Sequence, residues 1–344
     1  MNLRKISLYV LCLTIGLVSC NKDDEPTIEP VPEKDRKEQQ ALDIAALNTY
    51  LETHYYDASK FVSNPNPGIS DIIIKEVKAS ETPPVGYVKL KTAVGEPKKV
   101  DYADIEYEYY VLKLNQGGGS DSPSFADLVR VNYQGFDLKG FVFDYSVNPI
   151  TDYLTSFIAG WSMVFPDFNV SASFTDNSDG TVSYSDKGIG VMFLPSGLAY
   201  FSGAPTGVSA YSPLIFKFEL LQMSEADQDN DGVPSYMEDI DGDGLLFDNT
   251  DGDFNPNTGS PVFNYLDSDD DNDGIPTKTE IANTVKTTIN RPTRAEVKAY
   301  VLQPTQKLVN KIVKELDGTF TGTIWTFQDS DGDKIPDYLD KDKK

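Results

Sequence analysis

The sequence predicts an α+β chain built in three successive parts: a helix, a series of strands and an acidic C-terminal stretch of different character. Three observations carry that expectation. From Ala41 to His54 the apolar Leu42, Ile44, Ala45, Leu47, Tyr50 and Leu51 fall mostly at helical spacing, which gives one amphipathic helix. The runs "DIIIKEV", "GYVKLKTAV" and "IEYEYYVLKL" have the β-branched and aromatic content of strands, and apolar strands continue to Met223. Beyond Met223 the composition turns to Asp, Asn and Gly, so a boundary is expected near Ser224.

The chain opens on Arg4 and Lys5 followed by an apolar run from Ile6 to Val18, too short to span a bilayer, which reads as a signal peptide over residues 1–19. Its end, "LVSC", resembles the lipobox of bacterial lipoproteins, and that resemblance makes Cys20 the lipidated first residue of the mature chain. A lipoprotein anchor combines several acyl contributions and so holds a membrane more firmly than one chain does. The following "NKDDE" resembles a surface-export signal of some Gram-negative lipoproteins; alternatively Asp23, Asp24 and Glu25 only begin a solvated linker. An outer-membrane lipoprotein, surface-exposed or periplasm-facing, is therefore expected. Residues 20–40 are polar, contain prolines and read as a flexible tether. Residues 41–104 form a helix-and-strand extension, in which the lone His54 is expected at a helix end or on the surface.

Cysteine and charge usage exclude several functions. Cys12 and Cys20 are the only cysteines, so the processed chain has neither a disulfide nor a thiol nucleophile. A single histidine removes Ser-His catalysis and most zinc sites. The formal net charge of -24 is concentrated between Lys217 and Lys278, a stretch without one basic residue. Nucleic acid is not an expected partner, because such a surface repels phosphates.

Between Asp127 and Met223 the blocks "DLVRVNYQG", "GFVFDYS", "FIAGW", "GVMFLPSGLAY" and "SPLIFKFELLQM" follow one another in an order that resembles the FKBP family of peptidyl-prolyl cis-trans isomerases. The resemblance covers residues 105–223 and implies an antiparallel sheet wrapped on a short helix, with an apolar pocket that binds proline-containing polypeptides. By position in the matching blocks, Trp161 forms the pocket floor and Tyr133, Phe143 and Phe216 its walls. Ile158 offers a backbone N–H, Asp144 and Tyr200 form a polar pair at the rim, and Val208 covers the mouth. The bland reading of the same aromatics is the core of a small β-sheet domain. Two departures stand out. Where the family usually has a short helix immediately after the Gly-Trp pair, this chain has "SMVFPDFNVSASFTDNSDGTVSYSDKGIG", with Pro166 and an added strand-turn-strand pattern, which predicts a remodelled roof. After Tyr200 the family usually has Gly, where this chain has Phe201.

Residues 224–344 repeat an acidic frame. Asp227, Asp229 and Asp231 precede Gly232, with Glu238 at the twelfth position; Asp269, Asp271, Asp273, Gly274 and Glu280 repeat it, and Asp329, Asp331, Asp333 and Asp340 form a third copy. Alternating carboxylates with a distal bidentate one suit calcium, a hard cation that takes six to eight oxygens. Pro234, Pro276 and Pro336 follow the seventh position and remove a donor that paired EF-hands use, so the region resembles instead thrombospondin type 3-like calcium repeats. In the third copy Lys334 stands where Gly eases a left-handed turn, a cost of roughly 1–2 kcal/mol. Without calcium the carboxylates repel, and an acidic disordered tail is the competing reading. Two short helices, interrupted by Pro304, are expected between Arg294 and Leu316.

The functional expectation is a lipid-anchored isomerase of X-Pro bonds in exported proteins, with structural calcium and no organic cofactor. Its alternatives are a non-catalytic surface binding or adhesion protein with a calcium-dependent spacer, and a structural part of an envelope complex.

Overall fold

A computed structural model describes residues 32–342, and the expectations for the signal segment, Cys20 and most of the tether lie outside the described residues. From Asp35 onward the chain forms one compact unit, a mixed α/β structure with several antiparallel sheets and few helices. No helix among the described residues is long and apolar enough to cross a membrane.

The first helix, α1 (Arg36–Thr53), starts ahead of Ala41 because Asp35 caps it, its carboxylate accepting the Glu38 N–H at 2.8 Å. Arg36–Gln40 therefore belong to the helix rather than to the tether. Leu47, Tyr50 and Leu51 are buried while Leu42 faces solvent. His54 follows at the C-cap, half-buried, with its ring stacked on Tyr50 at 3.7 Å.

Strand β1 (His54–Asp57) lies between β2 (Ile74–Glu76) and β3 (Tyr87–Lys89) in a small antiparallel sheet. The run "GYVKLKTAV" does not continue as a strand. After Lys89 it becomes a short helix, α2 (Leu90–Val94), which buries Leu90 and ends at Gly95 with φ 68, a backbone that suits glycine.

The main sheet is antiparallel throughout. Its strands are β4 (Lys98–Tyr102), β5 (Ile105–Asn115), β6 (Leu128–Asp137), β7 (Val142–Tyr145), β8 (Ile150–Tyr153), β11 (Gly188–Leu194) and β12 (Leu214–Ser224), in the order β4-β5-β11-β12-β6-β7 with β8 also on β6. Both faces are covered, so β11 is buried along its whole length and reads as an unbroken apolar run. Alternation still sorts its side chains. Ile189, Val191 and Phe193 join α1 on one face, whereas Met192 and Leu194 pack with Phe216, Phe218 and Trp161 on the other.

Trp161 lies on α3 (Ala159–Val164), so the short helix after the Gly-Trp pair is present and a single turn through Pro166 follows it. The added pattern forms a separate hairpin, β9 (Ser173–Asp176) with β10 (Val182–Ser185). Its Tyr184 hydroxyl bonds Arg130 and Gln222 at 3.1 and 3.3 Å, so the insertion is fastened to the sheet away from Tyr133 and Phe143.

The C-terminal stretch contains more structure than three acidic segments. A four-stranded sheet is built around β16 (Phe320–Thr326), which pairs with β13 (Val285–Arg291), β14 (Gln306–Leu308) and β15 (Val313–Lys314). Of the two helices expected over Arg294–Leu316 only the first is formed, as α5 (Arg294–Lys298); α4 is the short helix Thr277–Glu280. Leu308 and Val313 instead pair with β16, because backbone pairing with a distant strand outweighs a weak local helical spacing. Val233, Met237, Phe327 and Tyr338 make a buried apolar cluster under the acidic segments. The stretch is fastened to the main sheet by Asp127, whose carboxylate accepts the N–H groups of Ser124 at 2.6 Å and Ala226 at 3.1 Å. Asn310 donates to the Ser122 carbonyl at 2.9 Å, and Lys311 pairs with Asp121 at 3.2 Å.

Candidate functional site

The main sheet and α3 place most of the sequence-selected aromatics in one cluster. Trp161, 2% exposed, is stacked between Phe157 at 4.6 Å and Phe165 at 4.9 Å, and meets Tyr133 at 5.4 Å and Phe216 at 5.7 Å edge-on. Phe143 meets Phe216 at 5.6 Å, again edge to face, the geometry aromatic quadrupoles favour. Val208 is buried in the same cluster, and Tyr133, Phe143, Ile158 and Tyr200 pack against it half-buried. Ile158 is the N-cap of α3, which holds its backbone extended beside the indole.

Asp144 is exposed at the edge of this cluster, on β7, whose pairing with β6 sets it opposite Gly135. The Tyr133 hydroxyl donates to its Oδ2 at 2.7 Å. Burial, then that hydrogen bond, push the Tyr133 phenol well above its usual range. Burial and the Asp144 charge also raise Tyr200, so both phenols keep their protons.

Three supporting features escaped the sequence. Gly135 admits the rings: a Cβ there would lie 2.7 Å from both Phe143 and Phe216. Phe157 completes the stack on Trp161, and a run of single apolar residues gives no signal for it. The third is the anchoring of the segment that carries Tyr200. Asp43 on α1, 2% exposed, accepts the Ser196 N–H at 2.7 Å and the Ser196 hydroxyl at 2.5 Å. Phe201 adopts φ 48 where glycine is usual, and its ring is held by Arg36 at 4.1 Å and Tyr211 at 5.0 Å. The loop after Tyr200 is thus pinned by side chains rather than freed by glycine.

The acidic segments share one local design. In the first, Asp227, Asp229 and Asp231 accept backbone N–H groups from Gly232, Asp231 and Val233 at 3.2, 3.1 and 2.7 Å. In the second, Asp271 and Asp273 accept from Asp273 and Ile275 at 3.0 and 2.7 Å. The third repeats this with Asp329, Asp331 and Asp333, and Lys334 takes φ 83. In the first two loops other carboxylate oxygens are left close together. One oxygen from each of Asp227, Asp229 and Asp231, and likewise of Asp269, Asp271 and Asp273, lie within 4.8 Å of one another. Glu280 ends α4, and Asp340, buried, accepts the Asp342 N–H at 3.0 Å. Two further triads, Asp239 with Asp241 and Asp248, and Asp251 with Asp253 and Asp267, lie outside the three frames. The repeated frame does not mark them, since the third member of each, Asp248 or Asp267, lies on a different segment from the other two.

Charge is crowded here. Burial, followed by neighbouring carboxylates, raises Asp229 to about 7. Asp231, similarly buried, stands at about 6. Glu238, 1% exposed with both carboxylate oxygens lacking a hydrogen-bond partner among the described residues, is pushed to about 11. Buried carboxylates in this number require protons or a cation. The donor set is all oxygen, which fits calcium rather than a softer metal.

Comparisons with known proteins give three findings. A family model described as BamM C-terminal matches residues 228–307, from the first acidic segment into β14. No protein in a search of curated proteins matches. Among solved structures, the chain resembles a peptidyl-prolyl cis-trans isomerase from Pseudomonas syringae pv. tomato at 17% identity, covering 57% of this chain and 100% of that one with a TM-score of 0.32. It also resembles FkpA from Escherichia coli at 16% identity, covering 65% of this chain and 74% of that one with a TM-score of 0.30.

Proposed function

We propose that this chain is an FKBP-like peptidyl-prolyl cis-trans isomerase, held to a membrane by lipid on Cys20, which acts on X-Pro bonds of exported or surface proteins and carries a calcium-stabilised C-terminal region. The observation that carries the catalytic half is the Tyr133–Asp144 hydrogen bond of 2.7 Å at the edge of the aromatic cluster that contains Trp161. Amide resonance opposes rotation by roughly 18–20 kcal/mol, and no nucleophile is needed to lower that barrier. An apolar site strips water from the imide and favours the twisted state, in which conjugation between carbonyl and nitrogen is lost. In this reading Trp161, Tyr133, Phe143 and Phe216 enclose the proline ring, and Val208 covers it. The Ile158 N–H binds a substrate carbonyl, Tyr200 bonds the peptide, and Asp144 faces the twisting carbonyl.

The calcium half rests on the clustered carboxylates. Asp227, Asp229, Asp231 and Glu238 would hold one ion, Asp269, Asp271, Asp273 and Glu280 a second, and Asp329, Asp331, Asp333 and Asp340 a third, weaker at Lys334. Calcium would supply the positive charge that lets these groups ionise in the fold. The match to the BamM C-terminal family is consistent with association with the outer membrane.

A protease-coupled assay on several X-Pro peptides, with and without calcium, tests the catalytic half. Asp144 is exposed, so Asp144→Ala should reduce turnover by roughly tenfold, less than the ~100-fold typical of an enclosed electrostatic contact. A folded chain without turnover would end the isomerase reading. The second reading, a non-catalytic peptide-binding module, is favoured by the pinned Phe201, because a stiff loop over the pocket suits retention more than release.

A further inference from the structure

We infer that the cation of the first acidic segment is shared with the second, Asp270 supplying a ligand from outside the loop, so that one ion clamps the two segments together. This inference rests on the calcium reading above and names a ligand that the repeated frame does not contain. One carboxylate oxygen from each of Asp231, Glu238 and Asp270 lie within 4.8 Å of one another. Calcium takes oxygens at about 2.3–2.6 Å, so two ligands of one ion stand up to about 5 Å apart. All three residues are 1% exposed. Asp231 Oδ2, Asp270 Oδ1 and both Glu238 oxygens lack any hydrogen-bond partner among the described residues.

The second oxygens show that these side chains are aimed rather than loose. Asp231 Oδ1 accepts the Val233 N–H at 2.7 Å, and Asp270 Oδ2 accepts the Thr277 hydroxyl at 2.9 Å. Asp231 and Asp270 thus each have one oxygen fixed by their own segment and the other left for the shared space, to which Glu238 offers both of its own. An unpaired buried carboxylate is strongly unfavourable, and three at one point require a counter-charge. No basic residue lies between Lys217 and Lys278 in the sequence, and the charges that act most on Glu238 and Asp270 are those of other carboxylates. Burial and the charges of Asp231 and Asp229 raise Asp270 to about 9, the response of a carboxyl group that lacks such a counter-charge. The third segment reaches the same place through Tyr338, 1% exposed, whose phenol is raised by burial and by the charges of Asp270, Glu238 and Asp231. Beneath them Tyr338 packs with Val233, Met237 and Phe327, so the ion would sit on the apolar cluster of this region.

The test is calcium titration calorimetry on the full chain in detergent, stripped of metal beforehand, with Asp270→Asn, Glu238→Gln and the double variant. Asparagine keeps an oxygen for Thr277 and removes the charge. Asp270→Asn should weaken the affected site by roughly tenfold or more, and in the Glu238→Gln background it should add far less, since both act on one ion. Unchanged affinity in Asp270→Asn, or effects that simply multiply in the double variant, would overturn the shared site. A measurement without variants guards against misfolding: in hydrogen exchange on the unaltered chain, residues 268–277 should gain protection at the calcium concentration that protects residues 227–238, whatever the second segment's own ion adds. Protection of residues 227–238 with no simultaneous gain in residues 268–277 would likewise overturn the inference. Failure of the calcium reading itself looks different, because the unaltered chain would then bind no calcium at all.

Discussion

At the scale of single residues, the candidate pocket depends on what is missing as much as on what is present. Tyr133, Phe143, Trp161 and Phe216 come from three separate parts of the chain, and the space where Phe143 meets Phe216 is open because Gly135 carries no side chain. Gly135→Ala should push Phe143 and Phe216 apart, cost about 1–3 kcal/mol of stability and lower any turnover with it. Urea denaturation beside the peptide assay checks this, and an unchanged midpoint would show that the rings can yield. Phe201 presents the opposite case. Its φ of 48 carries a left-handed strain of roughly 1–2 kcal/mol, which the packing of its ring with Arg36 and Tyr211 offsets. Side-chain packing has replaced glycine at that position.

At the scale of elements, α1 is part of the site although it contributes none of its lining. It covers the face of the sheet opposite Trp161, and Asp43 reaches from it to the segment that leads to Tyr200. Asp43→Ala would leave the Ser196 N–H and hydroxyl without their acceptor. A stability loss of about 2–4 kcal/mol is expected, from charge-assisted hydrogen bonds in a buried setting. Exchange protection around residues 196–201 should fall with it, whereas an effect confined to α1 would argue against the linkage. The hairpin of β9 and β10 belongs to a different class of element. It is exposed, and its Tyr184 reaches Arg130 and Gln222, so the insertion after α3 leaves that short helix in place, contrary to the replacement read from the sequence.

At the scale of the whole molecule, two halves of different physics share one compact unit. The sheet half is held by apolar burial on both faces, and the acidic half is balanced around carboxylates. Chelation should therefore act unevenly. In the absence of cation the native state holds protons on Asp231 at about 6, Asp229 at about 7 and Asp270 at about 9, which an unfolded chain releases near 4. Raised carboxylates cost nothing below their unfolded values and weaken the fold progressively as pH rises through the native ones. Melting in a chelator should fall from about pH 5 to about pH 8, and calcium should abolish or reverse that slope by replacing the protons. Protease cleavage in the chelator should fall first within residues 227–340 and spare the main sheet. A chelator-insensitive melt across that range would remove calcium from the account of stability.

The sequence by itself determined what depends on neighbours along the chain. Helical spacing marked α1, β-branched runs marked β5 and β12, and the Asp-Gly frame marked loops whose hydrogen bonds close within a few residues. Even the left-handed backbone at Lys334 was legible, because turn geometry is set locally. The order of blocks between Asp127 and Met223 likewise pointed to the residues that gather around Trp161. Only the tertiary structure decided which distant groups meet. It turned Leu308 and Val313 into partners of β16, brought Asp43 to Ser196, stacked Phe157 on Trp161 and set Asp270 beside Glu238. None of these pairs leaves a periodic mark, since each side of the contact is shaped by its own segment and the attraction between them appears only once the core has closed.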